Sequence, residues 1–442
     1  MNSIVIFDIG KTNKKCFVFD EDYHIVFEKT TTLPETVDED GEPCEDLDLL
    51  QNWVCRSLLD ILADEGFQIK AVNVTTYGAS LVHLDADGQP LTPLYNYLKP
   101  FPEDLQKQFF DTYGAPEKLA LETASPVLGM LNAGLQLYWL KQYKPLIFSK
   151  IKWSLHLPQF VASILHDQFF TEITSIGCHT MLWDFRKNDY HDWVKTEGMT
   201  DKFPPIKPSQ DPVPLTNNQS TNIQSGIGLQ DSSAALIPYL ASFNEPFVLI
   251  STGTWCISLN PFNQEPLTAE ELARDGLFYL SYTGQPVKSA RYFGGNEHEK
   301  WTKALSQVFD KPLNYYQHMA YDPAVLENFA LPQKAWETGL HAFENYETAY
   351  HALMTQIIRS QYYSTKMVLT EATRRIFVDG GFSKNEIYMH LLASVFPRLE
   401  VFAAEVAQST ALGAALAIHP CWNEKPLPPN LISLKKYTGA HP

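Results

Sequence analysis

No stretch of this 442-residue sequence stays apolar for the ~18 residues that a membrane-crossing helix needs, which argues against a helical membrane protein. Its first residues, Met1-Asn2-Ser3-Ile4-Val5-Ile6-Phe7-Asp8, carry no basic segment and meet a carboxylate before any signal-length apolar run forms, so a cytoplasmic protein is expected. Positive charge is scarce as well. The 34 Lys and Arg stand against 51 Asp and Glu, a formal net charge of -17, which repels nucleic acid and anionic membrane surfaces at long range and makes neither an expected partner. Cysteines are few: Cys16, Cys44, Cys55, Cys178, Cys256 and Cys421 show no metal-type pair spacing, and two fall within predicted strands. Reduced core thiols fit better than zinc ligands or a disulfide framework. His83, His179 and His298 are likewise isolated, and are expected to be structural.

What the sequence does contain is length, apolar residues and one repeated pattern. A chain of 442 residues exceeds what one core usually holds, so two domains are the prior, and 45% hydrophobic residues can fill both. Ile4-Val5-Ile6-Phe7-Asp8-Ile9-Gly10-Lys11-Thr12-Asn13 and Phe247-Val248-Leu249-Ile250-Ser251-Thr252-Gly253-Thr254-Trp255 are each an apolar run ending in a Gly beside a Thr. Each is followed by a second apolar stretch, Cys16 to Phe19 and Cys256 to Leu259, so both predict hairpins with glycine-bearing polar tips. Such a tip lets backbone N–H groups approach a phosphate. In a third segment, Ile376-Phe377-Val378-Asp379-Gly380-Gly381-Phe382-Ser383-Lys384-Asn385, a buried strand breaks at a glycine pair and enters a helix, a geometry that suits a nucleoside lying on backbone. Elsewhere the patterns predict a helix over 47–64, a strand over 69–75, a helix-rich stretch beyond Glu103 and a helix beginning near Asp231. The acidic run 35–48 reads as a solvated loop, and the Pro-, Ser- and Asn-rich stretch 204–224 as the boundary between domains 1–222 and 223–442.

Taken in order, these segments resemble the FGGY carbohydrate kinases of the actin-like ATPase superfamily. The resemblance rests on Asp8-Ile9-Gly10-Lys11-Thr12-Asn13 and Ser251-Thr252-Gly253-Thr254 as phosphate motifs, and on Asp379-Gly380-Gly381 as an adenosine motif. Gly228-Leu229-Gln230-Asp231-Ser232-Ser233-Ala234 and the small-residue helix Ala411-Leu412-Gly413-Ala414-Ala415 extend it over nearly the whole chain. Thr75-Thr76-Tyr77-Gly78 and the Gln-Asp-Ser pattern look most like the kinases of rhamnulose and fuculose.

The resemblance implies an α/β fold of two actin-like (ribonuclease H-like) lobes with ATP and a small-molecule sugar meeting in the cleft. It implies Asp231 as the base that takes the substrate's hydroxyl proton, and Asp8 as the holder of Mg²⁺. Gly10, Lys11, Thr12, Asn13, Thr252, Gly253 and Thr254 would cradle the phosphates, with Gly380, Gly381 and Asn385 at the nucleoside. Thr76, Tyr77, Gly78, Gln230 and Asp231 would face the sugar, and a homodimer is compatible with all of this. Lys11 departs from the small hydroxyl residue usual in the family and either touches a phosphate or points to solvent. Gln230 departs from the histidine that rhamnulose kinases tend to carry, which weakens any transfer of sugar identity. Asn132 and Gln136, four apart on one helical face, either serve sugar hydroxyls or cap a helix, the latter slightly favoured. The glycine-bearing loop Arg291 to His298 is a candidate to approach nucleotide or sugar, although a lone Gly-Gly pair is weak as a signal. Two rival readings of the chain stay open at this level, a nucleotide-switch ATPase and a non-catalytic sugar or nucleotide sensor.

Overall fold

The computed structural model describes residues 2–216, 222–323, 339–406 and 408–439. Its frame is two seven-stranded sheets. The first contains β1 (Asn2–Ile9), β2 (Lys14–Asp20), β3 (Ile25–Thr31), β4 (Gln68–Thr76), β5 (Val213–Pro214), β6 (Gln224–Ser225) and β7 (Leu229–Gln230), ordered β5-β6-β4-β1-β2-β3 with β7 also on β4. The second contains β8 (Phe247–Thr252), β9 (Cys256–Asn260), β10 (Gly276–Leu280), β11 (Pro286–Tyr292), β12 (Arg375–Gly380), β13 (Glu400–Glu405) and β14 (Ser433–Tyr437), ordered β10-β11-β9-β8-β12-β13-β14. Each sheet is centred on one unit: an antiparallel hairpin, β1–β2 or β8–β9, whose first strand takes a parallel neighbour, β4 or β12. The repeated sequence pattern is this repeated unit.

Strand parity decides which residues face which layer, because successive side chains of a strand point to opposite faces. On β1, Val5, Phe7 and Ile9 pack under α1 (Leu47–Leu62) and α2 (Leu157–His166), while Ile4 and Ile6 face α3 (Asp231–Ser242). On β8, Phe247 and Leu249 meet α3, and Val248 and Ile250 join the core beyond, which includes residues of α5 (Tyr346–Lys366) and α6 (Glu386–Val395); α4 (Gly294–Val308) lies beside α5. The last helix, α7 (Ser409–Ala417), packs on the same side of β1 as α3. Burial on both faces explains why β1 and β8 read as continuous apolar runs.

Helix α3 is thereby the middle layer of the molecule. Its Ala234 and Ile237 sit in the core of the first sheet, and its Leu236 and Tyr239 in that of the second. The first sheet keeps the chain through Gln230, beyond the 222/223 division expected from composition, and the crossing to the second sheet is made by α3. Residues 217–221 of the expected boundary stretch lie outside the described residues. Below the cleft the lobes are joined directly: Phe278 N–H donates to the Ala124 carbonyl at 3.0 Å, and Ser233 Oγ donates to the Leu280 carbonyl at 2.9 Å. Ala120, Ala124, Leu267, Leu272 and Phe278 bury one another across that junction.

Two expectations change. The acidic run 35–48 is not uniformly solvated, since Asp38 and Glu45 are buried, Asp38 against Lys99 and Glu45 against Lys14. Asn132 holds the N-cap position of the helix Ala133–Tyr143, but without a side-chain capping bond, and neither Asn132 nor Gln136 is a free donor. Asn132 Nδ2 donates to the carbonyl of His179, and Gln136 Nε2 to that of Ala79 at 2.6 Å, so both staple loops that line the cleft. The cysteines fit the reduced reading: all six are free, and Cys16, Cys44, Cys178 and Cys256 are buried. Among the described residues no helix is long and apolar enough to cross a membrane.

Candidate active site

Helix α3 begins at Asp231, but its cap is the preceding residue. Gln230 Oε1 accepts from Ser233 N–H at 2.9 Å, which leaves Asp231 in the first turn, where the helix dipole favours an anion. Asp231 Oδ1 accepts from Ser232 N–H at 2.6 Å, from Ser232 Oγ at 3.2 Å and from Gln230 Nε2. Its other oxygen has no hydrogen-bond partner among the described residues, and Asp231 lines a cavity. Burial, reinforced by the nearby charge of Asp8, pushes its pKa up to about 6. The arrangement is a carboxylate held rigid by one oxygen, with the other available to accept a proton near neutral pH.

Asp8 lies on β1 with the parity of Ile4 and Ile6, so it faces the layer between the lobes. Thr410 Oγ1, at the start of α7, donates to Asp8 Oδ2 at 2.7 Å, and burial raises the pKa of this carboxyl too. Among the described residues no three His, Cys, Asp or Glu side chains gather as a metal cage. A Mg²⁺-type ion needs no cage, because one or two carboxylates plus phosphate oxygens and water suffice. Two partly buried carboxylates, the charge of one raising the pKa of the other, fit such an ion's neighbourhood.

The first hairpin tip turns as expected, with Gly10 N–H donating to the Asn13 carbonyl at 2.9 Å. Thr12 and Asn13 stand exposed at the tip and line neither cavity. Lys11 neither floats in solvent nor is left free: its Nζ lies 3.1 Å from Glu35 and 3.5 Å from Glu45, at the cavity wall. Buried Lys14 pins the turn from below, donating to the Gly10 and Lys11 carbonyls at 3.0 Å and pairing with Glu45. Glu45 also accepts the Tyr77 hydroxyl at 2.7 Å, which ties the ring to the same hairpin. Thr76 is buried with its hydroxyl on the Tyr77 carbonyl and does not line the cavity, whereas Tyr77, Gly78 and Gln230 do.

The second tip closes through Gly253 N–H donating to the Trp255 carbonyl at 2.9 Å. The Thr252 hydroxyl is already engaged, donating to the Asp379 carbonyl and accepting from Phe382 N–H at 3.0 Å, so it braces the glycine-pair turn. At Gly380, φ is +81° and an added Cβ would lie 1.9 Å from the Thr252 carbonyl oxygen, so only glycine fits. Gly381, by contrast, has open space where a side chain would be. Asn385 caps α6 through Tyr388 N–H and donates to the Tyr350 hydroxyl at 2.7 Å.

These pieces enclose two adjoining cavities. The larger, about 900 Å³, is lined by Thr252, Gly253, Gly295, Gly381 and Asn385 together with His298, Tyr316 and Phe382. The smaller, about 250 Å³, holds Lys11, Tyr77, Gln230 and Asp231 from one side and Ser251, Gly253, Thr254 and Arg291 from the other. Gly253 belongs to both. The sequence reading missed His298, Tyr279, Arg291 and His179 as lining residues. Only the loop Arg291 to His298 had hinted at any of them, through glycines whose reason is now visible: a Cβ on Gly295 would lie 1.8 Å from the Gly253 carbonyl oxygen.

Comparison with known proteins accords with this geometry. Residues 3–233 match the FGGY family of carbohydrate kinases, N-terminal domain, and residues 244–426 match the carbohydrate kinase FGGY, C-terminal domain. An L-fuculokinase of Salmonella typhi is 22% identical over 93% of this chain and 91% of its own length. A rhamnulokinase of Halalkalibacterium halodurans is 25% identical over 47% of this chain and 44% of its own. Among solved structures, a carbohydrate kinase from Novosphingobium aromaticivorans is 25% identical, with a TM-score of 0.79, covering 100% of this chain and 95% of that one. A ligand-bound xylulose kinase from Lactobacillus acidophilus shares the fold at TM-score 0.80 and 16% identity, covering 99% of this chain and 94% of that one. With both halves of the family's two-lobed fold accounted for along the chain, this protein belongs to the FGGY family of carbohydrate kinases and is a sugar phosphotransferase.

Proposed function

We propose that the protein transfers the γ-phosphoryl group of ATP to a hydroxyl of a ketose or deoxyketose of the L-fuculose or L-rhamnulose kind, with Asp231 as general base. The observation that carries this reading is the smaller cavity, where Asp231 and the second hairpin tip share walls and Gly253 leads into the larger one. A sugar in the smaller cavity and a nucleotide in the larger one would meet at that glycine. Phosphoryl transfer needs little covalent help from protein, so positioning and charge stabilisation dominate. Asp231 accepts the hydroxyl proton through its unpartnered oxygen. Gly10, Lys11, Gly253 and Thr254 orient phosphates, with Thr12 and Asn13 reaching them only from the exposed tip. Gly380, Gly381 and Asn385 support the nucleoside, and Tyr77, Gly78 and Gln230 bound the sugar. Asp8 would hold Mg²⁺, which would supply positive charge to offset that of the phosphates. The lobes divide near α3, a cytoplasmic setting supplies ATP, and a homodimer completes the reading. The names of the L-fuculokinase and rhamnulokinase relatives favour a 6-deoxyketose among the candidate sugars.

A coupled ADP-release screen over rhamnulose, fuculose, xylulose and ribulose, with glycerol as control, tests the proposal. The expected result is release that depends on at least one ketose. ADP formation indifferent to every sugar would overturn it.

A further inference from the structure

The second lobe supplies the smaller cavity with polar groups that the reading above leaves unused. Arg291 on β11 has a side chain only 3% exposed, and it lines this cavity. Its Nη2 donates to Asp275 Oδ1 at 3.0 Å, and its guanidinium lies 4.9 Å from the centre of the Trp255 ring, so its orientation is fixed. Its Nε–H is buried without a hydrogen-bond partner. Tyr279 on β10, 2% exposed, lines the same cavity, and its hydroxyl has no hydrogen bond among the described residues. His179, from the first lobe, bonds the Leu131 carbonyl through Nδ1 at 3.1 Å, and its ring meets that of Tyr279 at 6.0 Å. Burial and the charge of Arg291 keep that imidazole neutral. With Nδ1–H donating to Leu131, its Nε2 is left as an acceptor.

Buried polar groups are nearly always paired, and an unpaired donor in a fixed orientation is a deficit that a ligand can fill. Here a donor at Arg291, a donor-acceptor at Tyr279 and an acceptor at His179 line one small cavity together with Asp231. Such a mixed set of donors and acceptors can pair with hydroxyls of one bound molecule. Asp275 balances the guanidinium, so this wall presents hydrogen-bonding capacity without an uncompensated charge. We propose that Arg291, Tyr279 and His179 are the specificity residues of the sugar site, binding hydroxyl and carbonyl oxygens remote from the phosphorylated one, and that they select a neutral sugar over a sugar acid. This rests on the sugar-kinase reading above.

The test uses the full chain, with the best ketose from the screen, its deoxy analogues and a matching aldonate. Tyr279→Phe removes one hydroxyl from a site otherwise intact, and Arg291→Lys keeps the charge while losing the Nε–H. Both are expected to raise the sugar KM about tenfold or more, with a much smaller change in the ATP KM. Tyr279→Phe should also narrow the gap between the ketose and the one deoxy analogue that lacks its partner oxygen. Should Arg291→Lys fail to fold, Tyr279→Phe decides alone. An unchanged sugar KM in Tyr279→Phe, an ATP KM that rises in step, or a preference of the unmodified protein for the aldonate would each overturn the inference. A protein that phosphorylates no sugar overturns the functional reading and this inference together, whereas normal turnover with indifferent variants removes the inference only.

Discussion

Asp8 and Asp231 share one buried field, and that shapes both turnover and stability. As the proposed base, Asp231 would have to be ionised to accept a proton, so kcat/KM should rise with pH through about 6 and level off above it, as a pH-rate profile would read. Asp231→Asn should lower turnover by ~10²–10⁴-fold, the usual contribution of a general base, while nucleotide binding measured by calorimetry stays intact. The stability consequence has the opposite sign. Burial raises the folded carboxyl above the ordinary aspartate value of 3.8, so its favourable contribution is complete below pH ~4 and is lost as pH rises through about 6. Asp231→Asn removes the buried charge and keeps an oxygen for Ser232, so it should stabilise the fold at pH 7–8 by on the order of 1 kcal/mol, a gain that disappears near pH 4. Thermal melts of the two proteins at both pH values check this.

Helices α3 and α7 carry the groups that meet at the site, Asp231 at the start of one and Thr410 at the start of the other, and their crossing is set by two residues. Pro238 within α3 has no N–H to give the Ala234 carbonyl four residues back, so that oxygen is freed from the helix ladder. It faces Gly413 of α7, where an added Cβ would lie 1.8 Å away. Gly413→Ala must therefore push the helices apart, with a cost of ~1–3 kcal/mol in denaturant unfolding and a loss of turnover, since Asp231 and the Thr410–Asp8 bond shift together. The small-residue run 411–415 announced close packing in the sequence, because nothing else explains alanine and glycine in such density on a buried helix. The two hairpin tips and the glycine pair were legible for the same reason: each is a local signal of strand, turn and strand or helix. Glu45 was not legible, since a carboxylate in an acidic run looks solvated until Lys14 and Tyr77 arrive from distant strands. Nor was the cap at Gln230, because glutamine is a rare capping residue beside an aspartate. Tyr279, Arg291 and His179 look like ordinary strand or loop residues, and only tertiary structure gathers them.

Across the whole molecule the two cavities differ in how they are built. The smaller one is lined from both lobes, which the Phe278–Ala124 bond ties together, and β10, the strand of Phe278, also carries Tyr279. The larger is lined from the second lobe alone, from Thr252 to Glu386. Lobe closure over bound ligands would then reshape the passage between them more than the floor of the smaller cavity. That passage is bordered by Gly253, and its lack of a side chain is not something folding demands. Its backbone is not left-handed, and a methyl group there would meet nothing nearer than the Trp255 carbonyl oxygen at 3.9 Å. Gly253→Ala should melt within a degree or so of the unaltered protein. It should also bind nucleotide and sugar singly, yet transfer far less phosphate when given both, a deficit that rapid-quench kinetics would locate in the chemical step. On the proposed seating of donor and acceptor, the doorway between them is kept clear by an omission, so a correctly folded, ligand-competent chain would become an idle enzyme once a carbon replaced one hydrogen.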